Sequence, residues 1–348
     1  MSPANPLPRQ DLELILQHTA SLWEEVRGQR IFLTGGTGFF GCWLVETFCH
    51  INQVLGLGAR MVILTRNRTA FAAKCPHLAK NSTIALHTGD VRSFSFPDGE
   101  YRYVLHTATQ ASAKQAADGP LEMLSTIIAG TERTLEFAIS HGARKFLLTS
   151  SGAVYGKQPA DLTHVPESYT GAPDPLDPSN VYAEGKRTAE LMCALYQNRA
   201  SSLECKIARC WAFCGPHLPL DQHFAIGNFI GDVLAGRPIQ IRGDGTPRRS
   251  YLYAADLAVW LWTMLFRAPA LVPFNVGSAH DVSILELAQT VATTLSPQTE
   301  IRVAQKTTSG GATLRYVPCV DRAREMLGLR QIVGLEECIR RTARWYEK

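Results

Sequence analysis

Short runs of apolar residues alternate along the chain with segments in which apolar residues recur at helical spacing. The apolar runs predict six strands, at residues 30–34, 61–65, 83–87, 103–106, 145–149 and 205–209. The helical spacing predicts helices at 41–49, 121–141 and 182–197, and a further helix at 11–27 on the outside of the main domain. Strands that are apolar throughout and separated by helices are typical of a parallel sheet covered on both faces. We therefore expect an α/β fold with a doubly wound parallel sheet.

Composition narrows the functional classes. The 348 residues include 35 Lys and Arg against 31 Asp and Glu, a net charge of +4 that is too small to indicate a nucleic-acid or acidic-lipid partner. The start is polar and rich in proline, and the longest apolar stretch, 254–266, is too short to span a bilayer. Nine cysteines without metal-ligand spacing indicate buried, reduced thiols and no metal. These features predict a soluble cytoplasmic protein.

A glycine-rich turn follows the first strand. Gly36, Gly38 and Gly41 match GxGxxG, and Gly35, Gly38 and Gly41 match GxxGxxG, between a strand and an amphipathic helix. Such a turn lets the backbone approach a pyrophosphate, and the N–H groups at the helix start, around Phe39 and Phe40, face its charge. We predict a dinucleotide site here, in a Rossmann-type sheet.

Further cofactor contacts are expected at the ends of the next strands. Arg66 follows the second strand, where NAD-binding chains usually carry a carboxylate, so NADP is modestly favoured over NAD. Asp90 and Val91 follow the third strand, and a carboxylate there suits the adenine amino group. His106 and Ala108 lie in the turn after the fourth strand, beneath the cofactor.

The segment Tyr-Ala-Glu-Gly-Lys places Tyr182 and Lys186 on one face of a helix. A neighbouring ammonium lowers the pKa of a phenol, so we expect Tyr182 to act as a base. Ser150 and Ser151 both lie at the end of the fifth strand, and we expect Ser151 to be the hydroxyl that bonds the substrate oxygen.

These motifs together resemble the extended short-chain dehydrogenase/reductase family, in its nucleotide-sugar epimerase/dehydratase branch. The resemblance covers about residues 28–345 and rests on GGTGFFG, GDV, TSSGAVYG, YAEGK, GDGTPRRSYLYAADLA, FNVGS and RYVP followed by LGL. It implies a Ser151–Tyr182–Lys186 triad and a tightly bound NAD or NADP that is reduced and reoxidised within one turnover. It also implies a nucleotide-diphosphate sugar as substrate and a homodimer formed through helices 121–141 and 182–197.

The resemblance also implies substrate contacts and a division of the chain. Arg249 matches the arginine that binds the diphosphate, Arg315 matches a second position near the nucleotide, and Asn228 lies where the base packs. We expect a helical extension at 1–27, a cofactor-binding domain with the triad at 28–210, and a smaller, mainly substrate-binding lobe at 211–348. Some segments of that lobe are expected to return to the first domain.

Departures from the family pattern favour one reaction. Gly152 and Ala153 stand where dehydratases and decarboxylases carry carboxylates, and neither can transfer a proton. Ala212 and Ile127 replace asparagines that contact substrate in the family. The sequence therefore predicts epimerisation through a keto intermediate. The alternatives are a 4,6-dehydratase or decarboxylase that recruits Glu167 or Glu184, an NADPH-dependent keto-sugar reductase and, more remotely, a non-catalytic cofactor-sensing protein.

Overall fold

Seven parallel strands form the central sheet. A computed structural model describes residues 5–109, 118–222, 224–305 and 314–347. The sheet strands are β1 Arg30–Thr34, β2 Arg60–Thr65, β3 Ile84–Thr88, β4 Tyr103–His106, β5 Lys145–Ser151, β6 Glu204–Cys210 and β11 Pro273–Val276. Across the sheet they lie in the order β3-β2-β1-β4-β5-β6-β11. The predicted doubly wound α/β fold is confirmed, and β11 adds a seventh strand from the C-terminal part of the chain.

Helices cover the sheet on both sides. The α-helices are α1 Arg9–Thr19, α2 Phe39–Val54, α3 Arg68–Lys74, α4 Pro76–Ala79, α5 Pro120–Ser140, α6 Val181–Arg199, α7 Ala225–Leu234, α8 Ala254–Arg267, α9 Ile284–Leu295, α10 Asp321–Leu327 and α11 Leu335–Tyr346. Short 3-10 helices occupy Ala20–Val26, Gly152–Tyr155 and Pro178–Asn180. None of the helices in these described ranges is both long and apolar enough to cross a bilayer.

Alternate residues of each central strand enter two different hydrophobic cores. Leu33 of β1 packs in the core that contains α2 and α8, whereas Phe32 packs in the core under α5 and α6. The same alternation divides Leu147 of β5 from Phe146. Because successive side chains of a strand point to opposite faces, both faces must be apolar, and this explains the continuous apolar runs.

Smaller sheets extend the C-terminal part of the chain. The remaining strands are β7 Phe213–Cys214, β8 Ile239–Ile241, β9 Arg248–Ser250, β10 Leu252–Tyr253, β12 Asp281–Ser283, β13 Ile301–Val303 and β14 Arg315–Tyr316. They pair as β10-β7, β12-β9-β14 and β13-β8. The three-stranded sheet matters most for function, because β9 and β14 carry polar residues toward the carboxyl end of β5.

The N-terminal helix is part of the core. The helix predicted at 11–27 forms as α1 followed by a 3-10 helix, and it packs against α2 and α8. Trp23 is fully buried, with its ring 4.6 Å from that of Trp262. Asp11 is also fully buried and accepts hydrogen bonds from Tyr253 Oη at 2.7 Å and Arg341 Nη1 at 2.6 Å. All nine cysteines are free, and seven of them are buried.

Candidate active site

The glycine turn lies tightly against the carboxyl end of β4. Gly35 has φ +75°, and a Cβ there would lie 2.6 Å from Ala108 N and 2.7 Å from Thr107 O. A Cβ at Gly41 would collide with Gly35 O. Because neither position has space for a side chain, the turn brings the start of α2 directly over the sheet edge.

The outer side of the same turn is open. Gly38 is the N-cap of α2 without a capping side chain, and a Cβ there would meet only Gly35 O, at 3.5 Å, among the described atoms. Phe39 and Phe40 begin the helix, and N–H groups in a first helical turn have no intrahelical acceptor. The open glycine and the exposed helix N-terminus fit the pyrophosphate of a dinucleotide.

The predicted adenosine contacts lie at the ends of β2 and β3. Arg66 is exposed, and its charge helps to lower the pKa of Asp90. The larger cause of that lowering is Arg92, whose Nε and Nη2 donate to the two Asp90 carboxylate oxygens at 2.8 and 2.9 Å. Asp90 is therefore an ionised acceptor that Arg92 holds in place. Val91 packs against Gly130 of α5.

His106 does not present its side chain to the open side of the turn. Its Nδ1 lies 2.8 Å from Thr34 Oγ1, and its Nε2 lies 3.1 Å from Thr131 Oγ1. Burial, with a smaller effect from the Lys186 charge, lowers the pKa of His106 to about 3. The imidazole is therefore neutral, and it links β1, β4 and α5 beneath the position predicted for the cofactor. Ala108 follows in the partly exposed turn, where its N–H donates to Thr34 Oγ1 at 3.3 Å.

The structure brings Tyr182 and Lys186 together on α6. Lys186 Nζ lies 5.9 Å from the Tyr182 ring centre and donates to Thr109 Oγ1 and to Thr149 O, both at 2.8 Å. Burial lowers the pKa of Lys186 to about 8. Burial also raises the pKa of Tyr182 to about 12, and the Ser151 hydroxyl opposes that shift. The lowered phenol pKa predicted from spacing alone is therefore not found in the protein by itself, because burial dominates and Lys186 is not among the groups that shift the pKa of Tyr182.

Ser151 completes the predicted triad at the last residue of β5. Its side chain caps the following 3-10 helix, accepting from Ala153 N at 3.1 Å, and it lies within hydrogen-bonding reach of Tyr182. The neighbouring Ser150 donates to Glu190 Oε1 at 2.5 Å, and Arg209 Nη2 donates to the other oxygen of the same carboxylate at 2.7 Å. Ser151 is thus the hydroxyl that shares the site with Tyr182.

Tyr316 belongs to the same cluster, and the sequence analysis missed it. Its hydroxyl interacts with Ser151, and burial raises its pKa. A Cβ at Gly152 would lie 2.8 Å from Tyr316 Oη and 2.6 Å from the Trp211 ring. The two aromatic rings are 4.3 Å apart, so together they fill the space beside Ser151 in which a residue-152 side chain would otherwise lie.

Strand register separates the two predicted substrate arginines. β14 runs parallel to β9 with Tyr316 opposite Arg249 and Arg315 opposite Arg248, so each pair shares a face of the sheet. Arg249 lies 5.8 Å from the Tyr316 ring centre, toward the triad. Arg315 Nη1 instead donates to Asp281 Oδ2 at 3.0 Å, and Arg248 binds the same carboxylate. Arg249 has no carboxylate partner within the described ranges, and its Nη1 donates to Arg248 O at 2.8 Å.

The other predicted positions lie outside this cluster. Asn228 is half-buried in the first turn of α7, and the contacts described for it do not reach the triad. The carboxylate of Glu167 is buried and accepts from Asn275 N at 2.8 Å. Glu184 lies two residues after Tyr182, on another side of α6, and pairs weakly with Arg187 at 3.8 Å. Ile127, where the family carries asparagine, packs on Gly185.

Comparisons with known proteins agree with this geometry. The model of the NAD-dependent epimerase/dehydratase family matches residues 31–277. UDP-glucuronic acid decarboxylase 1 of Arabidopsis thaliana is 31% identical over 309 residues, which cover 88% of this chain and 67%, about two thirds, of that relative. An NAD-dependent NDP-hexosamine 5,6-dehydratase of tunicamycin biosynthesis is 25% identical, with a TM-score of 0.73, over 92% of this chain and 98% of that one. UDP-glucose 4-epimerase of Thermotoga maritima shares the fold at 22% identity and TM-score 0.74, over 92% and 99%.

The neutral, buried His106 predicts a specific pH dependence of stability. Its pKa in the folded state, about 3, lies below the ordinary value of 6.5, so its contribution is complete above pH 6.5 and is lost as the pH falls toward 3. We expect the unfolding free energy of the wild type, relative to His106→Asn, to fall by about 1.4 kcal/mol per pH unit in that window. Urea unfolding at several pH values measures this difference. The exposed His18→Asn is the control, and parallel pH profiles for wild type and His106→Asn would contradict the assignment.

Proposed function

Because the chain belongs to the NAD-dependent epimerase/dehydratase family and is therefore an enzyme, we propose that it inverts one carbon of a nucleotide-linked sugar through a keto intermediate. The observation that carries the proposal is the cluster of Ser151, Tyr182 and Lys186 beside Gly152, a position with no acid and no space for one. The hydroxyls of Ser151 and Tyr182 support proton transfer at a sugar oxygen. Position 152 offers no carboxylate that could transfer a proton at a sugar carbon.

The residues act on the sugar oxygen. Tyr182 accepts the proton of a sugar hydroxyl, and Ser151 donates a hydrogen bond to the oxygen as it becomes a carbonyl. Lys186 holds a positive charge beside the phenol and stabilises the phenolate form. Once the keto sugar has turned within the site, Tyr182 returns the proton to the oxygen and leaves the alcohol of opposite configuration.

The cofactor is of the nicotinamide class. When bound, this cofactor would supply an acceptor and donor for the hydride of the sugar carbon, so that the reaction would need no external oxidant. Gly35, Gly38, Gly41 and the first N–H groups of α2 would hold its pyrophosphate. The expected preference of Arg66 for NADP remains a prediction, because the family description names NAD.

The substrate is proposed to be a nucleoside diphosphate sugar, as in the relatives. Arg249 lies beside Tyr316 and lacks a carboxylate partner among the described residues, so its guanidinium suits a diphosphate. Segment 211–348 contributes Arg249, Trp211 and Tyr316, and we assign it to substrate binding. We also propose that the protein acts in the cytoplasm.

Decarboxylation of a nucleotide-linked uronate is the second candidate. The Arabidopsis relative is named for that reaction on UDP-glucuronic acid. A 4-keto uronate loses carbon dioxide readily, but the carbanion that remains must then gain a proton from a group other than residue 152. Product analysis therefore separates the two candidates.

We expect purified enzyme to convert one nucleoside diphosphate sugar to its epimer without net change in cofactor absorbance. Tyr182→Phe should lower kcat by about 10²- to 10⁴-fold, because the general base is lost. A panel of UDP-, dTDP-, GDP- and CDP-sugars that includes UDP-glucuronic acid, followed by NMR, identifies the product. Tyr196→Phe, on the same helix, is the control.

Each alternative gives a distinct product. Carbon dioxide from UDP-glucuronic acid would establish decarboxylation, and a 4-keto-6-deoxy sugar would establish dehydration. Stoichiometric loss of reduced-nicotinamide absorbance would establish a reductase. Full turnover by Tyr182→Phe would exclude the proposed base whichever product forms.

Arg249 should govern substrate affinity. Loss of a charge-assisted hydrogen bond costs about 1.5–3 kcal/mol, so Arg249→Ala should raise the Kd for the substrate by about 10- to 100-fold. Calorimetric titration of cofactor-loaded enzyme with the sugar nucleotide measures this change. The exposed Arg242→Ala is the matched control, and an unchanged Kd in Arg249→Ala would remove Arg249 from the site.

A homodimer through α5 and α6 is also proposed. These helices expose Leu121, Leu191 and Leu195, and the last two lie four residues apart on one side of α6. Leu191→Glu should convert a dimer into a monomer, because a carboxylate would be buried in an apolar interface. Light scattering after gel filtration measures the mass, with Met326→Glu on α10 as the control for an exposed apolar residue. A monomeric wild type would contradict the proposal.

A further inference from the structure

Two thiols and an imidazole meet next to the glycine turn, outside the catalytic site. Ligand atoms of Cys42, Cys75 and His217 all lie within 4.8 Å of one another, and all three residues are buried. Cys42 Sγ also lies 3.8 Å from Thr37 O in the glycine turn. The cluster therefore borders the segment that we assign to cofactor binding.

Three distant parts of the chain contribute these side chains. Cys42 lies near the start of α2, Cys75 between α3 and α4, and His217 in the loop after β7. The separations of 33 and 142 residues match no metal-binding motif, which is why the cysteine spacing predicted no metal. Only the fold brings these ligand types together.

The surroundings and the backbone conformation of His217 are energetically unfavourable unless its imidazole binds a ligand. Its side chain is 1% exposed, and neither ring nitrogen has a hydrogen-bond partner among the described residues. Its backbone has φ +70°, a conformation that non-glycine residues adopt at a cost. An imidazole that is buried without hydrogen bonds needs compensation, and a metal ion supplies it through the nitrogen lone pair.

A carboxylate oxygen borders the same cluster. Glu46 lies one helical turn after Cys42, and its Oε2 accepts from Leu7 N at 2.7 Å. Its Oε1 lies 3.5 Å from His217 Nε2 and 3.1 Å from His77 Nε2, but neither contact has hydrogen-bond geometry. This oxygen lies within ion-pair distance of both imidazoles, so the carboxylate borders the three-residue cluster and is not part of it.

We propose that Cys42, Cys75 and His217 bind a zinc ion. Sulfur and nitrogen donors of this kind are ligands of tetrahedral zinc, with bonds of roughly 2.0–2.3 Å. Binding releases the two thiol protons to solvent, because zinc coordinates thiolates. Because all three ligand residues are buried and lie outside the catalytic site, the role of the ion would be structural. The ion ties the start of α2 to the α3–α4 junction and to the loop after β7.

Metal analysis of the full-length protein tests the site. Protein expressed with zinc and purified without a metal-affinity tag should contain about one zinc per chain. Cys75→Ala and His217→Ala should each lose it. The matched control is Cys205→Ala, because Cys205 forms a second buried thiol pair, with Cys193. Zinc that is absent from the wild type, or retained in both ligand variants, would overturn the proposal.

Cobalt provides a second readout that does not require the variants to fold. Replacing zinc with Co²⁺ in the wild type should produce a thiolate-to-cobalt charge-transfer band, and zinc should protect Cys42 and Cys75 from alkylation. Mass spectrometry locates the alkylated cysteines. A Cys42–Cys75 disulfide in freshly purified protein, or alkylation that zinc does not slow, would refute the site.

Discussion

A buried chain of hydrogen bonds, Thr34–His106–Thr131, fixes the sheet edge on which the site is built. It joins the ends of β1 and β4 to α5, and His106 O accepts from Thr149 Oγ1 of β5 at 3.2 Å. Thr107 bonds back to Thr34 O through both its N–H and its hydroxyl, so the turn after β4 has one position. Thr109 in that turn is the acceptor for Lys186. The neutral imidazole thus connects the strand ends on which the glycine turn packs with the turn that accepts the hydrogen bond of Lys186.

Structural features that depend on residues close together in the chain could be predicted from the amino-acid sequence. The apolar runs at 30–34 and 103–106 coincide with β1 and β4, because a strand buried on both faces must be apolar throughout. The i, i+4 spacing of Tyr182 and Lys186 is a property of one helix, and the structure keeps it. The short β11 escaped prediction, since its four residues, Pro-Phe-Asn-Val, include a proline and an asparagine and do not form a continuous apolar run.

Structural features that depend on contacts between distant parts of the chain could not be predicted from the sequence. Tyr316 reaches Ser151 only because β14 pairs with β9 in one register, and a shift by one residue would bring Arg315 there instead. The same register explains why Arg249 and Arg315, two arginines that the sequence suggested for the same role, have different neighbours. The pKa of Tyr182 followed burial rather than the charge of Lys186, and burial is a property of the whole fold. Cys42, Cys75 and His217 meet through three separate elements.

The packing at Gly152 is the structural basis for the proposed chemistry at oxygen. Dehydration must remove a proton from carbon, and loss of carbon dioxide leaves a carbanion that must gain one, so each needs an acid or base placed at a carbon. Inversion at the oxidised carbon transfers protons only at oxygen, because a hydride breaks and remakes the C–H bond. Burial raises the pKa of Tyr316, so this phenol stays protonated. Trp211 and Tyr316 together occupy the space that a side chain at position 152 would need, so no proton-transferring group can stand there without displacing them.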